Sequence, residues 1–214
     1  VNVLLVGCKG NGKSSTGNTI LGENTFLVSK KGGTKESQNE EICYRAPWDK
    51  TLEIKVGVTD TPGVSEQMTE SEFMELEKAL KMSREGVDAI VLVWSNIIYT
   101  EQDVKVVEIL KVIFGEAFMK YVVIVLTCKD AIVNDKEFKG DVALYIQKAP
   151  PEFQNLLQEC NGRYVAFDNK TEDETVKRKQ VTELVMLIDD TVKNNGGVPF
   201  MDSIFQEGQK EKDK

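Results

Sequence analysis

The residues with the most chemical content lie within eight positions of one another. Gly7, Gly12, Lys13 and Ser14 form the pattern Gly-x-x-x-x-Gly-Lys-Ser, the spacing of a loop that cradles phosphate. Gly7 and Gly12 permit backbone torsions that a Cβ resists. The successive amides of Gly10, Asn11, Gly12, Lys13 and Ser14 can then converge on a β-phosphate, with Ser15 the next binding position. Lys13 is expected to set its ammonium between the β- and γ-phosphates, and Ser14 to ligate Mg²⁺ through its hydroxyl. The chemistry implied is the binding and transfer of a phosphoryl group.

Two further segments fit that chemistry. Asp60-Thr61-Pro62-Gly63 follows an apolar run, and Asp60 stands 46 residues after Ser14. A carboxylate at a strand end near Ser14 can hold Mg²⁺ through a water molecule. The amide of Gly63 can meet a γ-phosphate, a contact that exists with triphosphate and vanishes after hydrolysis. Thr34 is the only threonine between Thr25 and Thr51. Its hydroxyl is expected to close over Mg²⁺, which makes Ser14, Thr34 and Asp60 the metal positions. Lys13, Ser14, Thr34 and Gly63 are the positions expected to act on the reacting phosphate.

A base reader is expected in Thr127-Cys128-Lys129-Asp130. The Asp130 carboxylate can accept from both N1–H and the 2-amino group of guanine. Adenine lacks that donor pair and would leave the carboxylate desolvated and unpaired. The usual pattern is Asn-Lys-x-Asp, so Thr127 and Cys128 are departures, and Lys129 is left to cover the base with its alkyl stem. In Phe167-Asp168-Asn169-Lys170, Asn169 either donates to guanine O6 or supports the loop.

These groups need a scaffold that brings loops to one edge. Val1–Val6, Leu52–Thr59, Ala89–Trp94 and Tyr121–Leu126 are apolar runs that read as strands buried on both faces. Glu41–Arg45 and Tyr164–Phe167 read as further strands. The turn before Thr51 holds Pro47 and Asp49, and Glu23–Glu40 reads as a loop. Helical stretches are Lys13–Leu21, Ser71–Glu85, a segment capped by Thr100 and Asp103 and running to Phe114, Glu137–Lys148, Glu152–Glu159 and Glu174–Val192. The third is expected to bury Val104, Val107, Leu110, Val112 and Ile113. The alternation implies an α/β fold, with a mostly parallel central sheet and helices on both faces. Residues 1–197 read as one domain, and 198–214 as a polar extension frayed from Gln206.

Composition removes several alternatives. The 214 residues include no histidine, so Ser–His and Cys–His catalysis and imidazole metal sites are excluded. The 35 acidic residues outnumber the 27 basic ones, for a net charge of −8. That field repels phosphate backbones, and no nucleic-acid partner is expected. Cys8, Cys43, Cys128 and Cys160 contain no Cys-x-x-Cys. Reduced, mostly buried thiols in a cytoplasmic protein are the plain expectation, and two disulfides the alternative. No run approaches the ~18 apolar residues of a membrane span. The chain opens inside an apolar run and is expected to be a trimmed domain. Membrane contact, for instance at the cytosolic face of organelles, would then come through regions outside it.

The sequence resembles the immunity-associated nucleotide-binding family, the GIMAP-type or AIG-type GTPases. The matching strings are GNGKSSTGNTILG at Gly10–Gly22, DTPG at Asp60–Gly63, YTEQD at Tyr99–Asp103 and IFGEAFMKY at Ile113–Tyr121. They continue with Thr127–Asp130, CNGRYVAFDNK at Cys160–Lys170 and VKNNGG at Val192–Gly197. The resemblance implies a three-layer P-loop NTPase of the Ras-like G-domain class, with GTP or GDP and Mg²⁺ as ligands. It also implies homodimers or linear oligomers formed through the nucleotide and switch face. Some members supply an arginine across the dimer just before the Tyr-Thr pair, where this chain has the uncharged Ile98. Many carry Thr at the position of Lys9, and an Asn-Asn pair where this chain has Asp168-Asn169.

Turnover is expected to be slow. Val64 follows Gly63 where Ras-type enzymes place a water-orienting glutamine, and Gln67 is out of register. Glu66 and Gln67 are the nearby groups that dimerisation could order. Arg84 and Arg163 are the next charged groups, both expected at the surface. The competing readings are a nucleotide-binding scaffold without useful hydrolysis and an ATP-using P-loop kinase.

Overall fold

The computed structural model describes residues 1–28, 33–46, 51–83, 86–95, 101–127 and 129–200. The expectations for Pro47, Asp49, Arg84, Ile98, Tyr99, Thr100, Cys128 and the tail from Gln206 lie outside the described residues.

Six strands form one sheet: β1 (Asn2–Val6), β2 (Gln38–Arg45), β3 (Glu53–Asp60), β4 (Ala89–Trp94), β5 (Val122–Leu126) and β6 (Tyr164–Ala166). Their spatial order is β2-β3-β1-β4-β5-β6. Only β2 runs antiparallel to its neighbour, with Gln38 opposite Asp60 and Arg45 opposite Glu53. Of the parallel strands, β1, β4 and β5 are buried on both faces, as their β-branched, uninterrupted sequences require. Alternation divides their side chains between two cores. Val3, Leu5, Val91, Val93, Val123 and Val125 pack beneath α1 (Lys13–Leu21) and α7 (Glu174–Asn194). Leu4, Val6, Leu92, Trp94, Ile124 and Leu126 pack beneath α2 (Glu70–Met82), α3 (Glu101–Phe114) and α6 (Pro151–Glu159). The expected three layers are present.

The helix ends follow local chemistry. Thr69 and Glu72 form a reciprocal capping box on α2, with Glu72 N–H to Thr69 Oγ1 at 3.2 Å and Thr69 N–H to Glu72 Oε2 at 2.8 Å. Asp173 caps α7 by accepting from the Thr175 amide at 2.8 Å. Pro151 starts α6, where its missing N–H is no loss.

Four expectations need correction. Val112 is 86% exposed, and Val106 and Phe114 join Val107 and Leu110 in the core instead. Val112 lies two residues past Leu110, which is half a turn round the helix. The long helix Glu137–Lys148 shrinks to α5 (Val142–Gln147). Asp135 Oδ1 accepts from the Glu137 and Phe138 amides, and left-handed Lys139 (φ 47°) and Gly140 (φ 85°) follow, so the helix restarts only at the Asp141 cap. A one-and-a-half-turn helix, α4 (Lys129–Asn134), begins within the base-reader segment and was not anticipated. Finally, Arg163 is buried, at 6% exposure. Its guanidinium donates to the carbonyls of Val122 (2.8 Å), Met119 (3.0 Å) and Lys120 (2.8 Å). It thereby pins the 3-10 helix Glu116–Tyr121 to the start of β5.

The chain remains packed beyond α7. Phe200 is buried, exchanges backbone hydrogen bonds with Val87, and stacks near Phe114 and Tyr121. Among the described residues no helix is long and apolar enough to cross a membrane. Cys8 and Cys160 are buried free thiols, whereas Cys43 is exposed on β2.

Candidate functional site

The turn from β1 to α1 is shaped by glycine. A Cβ on Gly7 would sit 2.5 Å from the Val93 carbonyl oxygen, so this strand exit admits no other residue without displacing β4. Gly12 caps α1 in the left-handed region (φ 90°) with no side-chain acceptor over the first turn. The amides there face outward at the positive end of the helix dipole. Two side chains fasten the turn from behind. Asn11 donates to the Val93 carbonyl at 3.1 Å and accepts from Ser95 Oγ at 2.9 Å. Thr127 Oγ1 donates to the Asn11 carbonyl at 3.0 Å. Thus the side chains of Asn11 and Thr127 support the loop. The Asn11 amide in turn donates to the Cys8 carbonyl at 3.3 Å, so its backbone is engaged within the loop as well.

Lys13 is 5% exposed and donates to the carbonyls of Gly7 (3.3 Å) and Cys8 (3.0 Å). Burial lowers its pKa to about 8, against an upward pull from Asp60. A buried ammonium resting on carbonyls beside a helix N-terminus is a group that an anion would relieve.

The three expected metal positions converge. Ser14 Oγ donates to Asp60 Oδ2 at 2.6 Å, Thr34 Oγ1 donates to the same oxygen at 3.1 Å, and the two hydroxyls lie 2.9 Å apart. Asp60 is 1% exposed, and its Oδ1 is buried without a hydrogen-bond partner. Burial raises the Asp60 pKa, against Ser14, Lys13 and Thr34, which lower it. Two hydroxyls and a carboxylate with an unpaired oxygen are hard donors of the kind Mg²⁺ takes alongside phosphate oxygens. These residues therefore fit the cation.

The Asp60–Gly63 segment lies against the phosphate turn. Thr61 Oγ1 donates to the Leu5 carbonyl at 2.7 Å. The Val64 amide donates to the Gly7 carbonyl at 3.1 Å, and Val64 bridges Cys8 in parallel. A Cβ on Gly63 would overlap the Lys9 backbone, so glycine is needed for this approach. Val64 itself is buried and engaged by the strand-like pairing. Glu66 is paired with Lys105 at 3.0 Å.

At the other side of the turn, Asn169 Nδ2 donates to Thr16 Oγ1 (3.0 Å), and its Oδ1 accepts from Thr19 Oγ1 (2.8 Å). Both ends of the amide are engaged by α1, which favours the loop-supporting role. Asp168 turns its carboxylate into the loop, accepting from the Lys170 and Thr171 amides at 2.9 and 3.1 Å. Gln180, fully buried, clamps the Asp168 backbone through both its amide N–H and its carbonyl. Asp130 sits in the first turn of α4 and pairs with Lys170 at 2.6 Å. Lys170 lowers the Asp130 pKa, so the carboxylate is ionised and remains an acceptor at neutral pH. Lys129 borders a cleft of about 410 Å³ between β6 and α7.

Sequence reasoning read Asp103 only as a capping partner of Thr100, and it missed Gln180 and the structural role of Asn11. Asp103, 2% exposed, accepts from the Cys8 thiol at 3.3 Å and ties α3 to the phosphate turn. Burial and this carboxylate push the Cys8 pKa up to about 12. The signal for Asp103 was a polar residue on the apolar stripe of α3, at the turn before Val106 and Val107.

The family model described as AIG1 matches residues 1–214. Immune-associated nucleotide-binding protein 9 of Arabidopsis thaliana is 33% identical over 214 residues, covering 98% of this chain and 60% of its own length. Immune-associated nucleotide-binding protein 1 of the same plant is 33% identical over 210 residues, 96% of this chain and 90% of its own. The chain thus spans about 60% of the length of the first of these relatives. Among solved structures, Arabidopsis thaliana Toc33 in complex with GDP and Mg²⁺ superposes with a TM-score of 0.65 at 20% identity, over 91% of this chain and 84% of that one. A structure of chloroplast translocon components, for which dimerization is important for GTPase activity, gives 0.64 at 20% identity over 91% and 83%. At that identity the likeness establishes the fold, a Ras-like G domain.

Proposed function

The chain belongs to the AIG1 family, and on that premise we propose that it is a guanine-nucleotide-binding protein. It takes GTP or GDP with Mg²⁺, hydrolyses GTP slowly, and uses the bound nucleotide to control assembly with a second copy. The observation that carries the reading is the meeting of Ser14, Thr34 and the half-unpaired Asp60 beside Lys13. These groups come from three separate segments, and one buried oxygen of Asp60 has no hydrogen-bond partner, as a site built for a cation would leave it. Curated relatives carry nucleotide-binding names, and Toc33 was solved with GDP and Mg²⁺, in line with this reading.

The chain's own residues divide the work. The amides from Gly10 to Ser14, with Ser15 behind them, hold the phosphates, and the Lys13 ammonium exchanges carbonyl partners for phosphate oxygens. Ser14, Asp60 and Thr34 would hold Mg²⁺, which would supply charge neutralisation to the phosphates. Gly63 offers its amide at the γ-phosphate end, and Asp130 reads guanine. The nucleophile is where the site is weak. Val64 has no polar atom on its side chain and is locked against Cys8, and Glu66 is spent on Lys105. An arginine supplied at the transition state is worth ~10³–10⁵ in rate, and Ile98 supplies none. Binding is therefore secure and turnover slow. The locked Val64 equally suits a non-hydrolysing scaffold, which phosphate release measured at low and high protein concentration separates. Release per molecule that rises with concentration marks dimer-assisted hydrolysis, and none at any concentration marks the scaffold.

Base choice tests the reading. Guanine presents two donors to ionised Asp130, and bonds to a charged acceptor are worth ~1.5–3 kcal/mol each. Calorimetric titration should show guanine nucleotides preferred over adenine nucleotides by at least ~100-fold, and D130A should abolish the preference. Equal affinity for both bases in the wild type would favour the ATP-using alternative.

A further inference from the structure

Thr34 reaches the metal position from a loop, and the fold must hold that loop somewhere. The anchor is three residues on. Ser37 is 4% exposed, although it stands at the entrance to β2. Its amide donates to Glu75 Oε2 at 2.7 Å, and its hydroxyl donates to the Glu75 backbone carbonyl at 2.8 Å. Glu75 lies in the middle of α2, the helix that follows Asp60–Gly63. Lys78, one turn along, pairs with the same carboxylate at 3.3 Å. Both polar atoms of Ser37 thus bind one residue of α2. The next residue, Gln38, registers against Asp60 on β3.

We infer that Glu75 is a positioning residue that latches the Thr34 loop to α2, so that the two segments sensing the γ-phosphate move as one unit. The inference rests on the nucleotide-binding reading above and deepens it. The physical basis is reach. From Ser37 to Thr34 the chain spans three residues, or at most ~10 Å. Fixing Ser37 confines Thr34 to a small volume that includes the Asp60 carboxylate, as its 3.1 Å bond to Asp60 shows. Without the latch, Thr34 must be ordered anew each time triphosphate binds, and the entropic cost falls on triphosphate alone. Diphosphate, held by the Gly10–Ser15 amides and Lys13, does not need Thr34. The Ser37 amide also holds the Glu75 carboxyl below the usual range, so the carboxylate form of the latch is favoured at neutral pH.

The test compares a non-hydrolysable GTP analogue with GDP, each with Mg²⁺, by calorimetry on the whole chain. E75A should weaken the analogue ~5- to 20-fold relative to GDP. E75Q, whose side-chain carbonyl still accepts from the Ser37 amide, should restore most of the ratio. S37A, losing only the hydroxyl bond, should shift the ratio the same way by less. It also covers the case in which E75A does not fold. An unchanged analogue-to-GDP ratio in these variants, or equal weakening of both ligands, overturns the latch. Failure of the wild type to bind either ligand instead overturns the nucleotide-binding reading.

Discussion

Lys13 shows how one residue joins folding and binding. Its ammonium is buried, and its pKa is lowered to about 8. A bound polyphosphate adds negative charge beside it and must raise that pKa. By linkage, affinity is then independent of pH below about 8 and falls as pH rises above it, because the free protein loses the proton that the complex needs. GDP titrations from about pH 7 to about pH 9 should show a flat region and then a decline approaching tenfold per pH unit. Affinity that stays flat to pH 9 would mean that Lys13 does not bear on the phosphates. At this scale the phosphate loop was legible because its geometry demands particular residues. Gly7 has no room for a Cβ, and Lys13 folds its ammonium back over the loop onto the Gly7 and Cys8 carbonyls. Thr34 was legible by elimination, as the one threonine in its loop. Asn11 was not, since sequence cannot say whether a side chain turns outward to a ligand or inward to Val93 and Ser95.

The elements were readable where burial is uniform and obscure where it is bought locally by polar contacts. β1, β4 and β5 lie buried on both faces and appear in the sequence as unbroken apolar runs. β2 starts at Gln38, three residues earlier than its sequence suggests, because the Ser37–Glu75 contact and the pairing with Asp60 extend it. Arg163 reads as a surface charge until three carbonyls are seen to surround it. That arrangement makes a prediction for the β5 side of the sheet. R163A deprives three carbonyls of a charged donor and leaves a void, and should cost about 2–4 kcal/mol in urea unfolding. R163K, which brings one ammonium in place of the fork, should recover only part. A loss below about 0.5 kcal/mol would show that water replaces the guanidinium freely.

For the whole molecule, the loops proposed to bind and sense the nucleotide gather at one end of the sheet. The phosphate turn, Asp60–Gly63, Thr127–Asp130 and Phe167–Lys170 all leave the carboxyl ends of parallel strands, where such folds bind ligands. On the proposed reading, Thr34 at the metal position and the Gly63 amide would respond to a triphosphate and not to a diphosphate, so the surface they form would change with the nucleotide. Sedimentation equilibrium should therefore show self-association with a GTP analogue and Mg²⁺ that is at least ~10-fold tighter than with GDP. Identical association in both states would separate assembly from the nucleotide. The fold class and the loops that meet were visible in the sequence, whereas side-chain contacts between elements, such as Cys8–Asp103 and Gln180–Asp168, carry no pattern that pairs them.

The most direct measurement is calorimetric titration of the folded chain with GDP, in Mg²⁺ and in chelator, for the wild type and K13A. The account predicts one saturable site per chain that weakens without Mg²⁺ and is lost in K13A, with circular dichroism unchanged. A well-folded wild type that takes up no GDP, or a K13A variant that binds as tightly as the wild type, would contradict it.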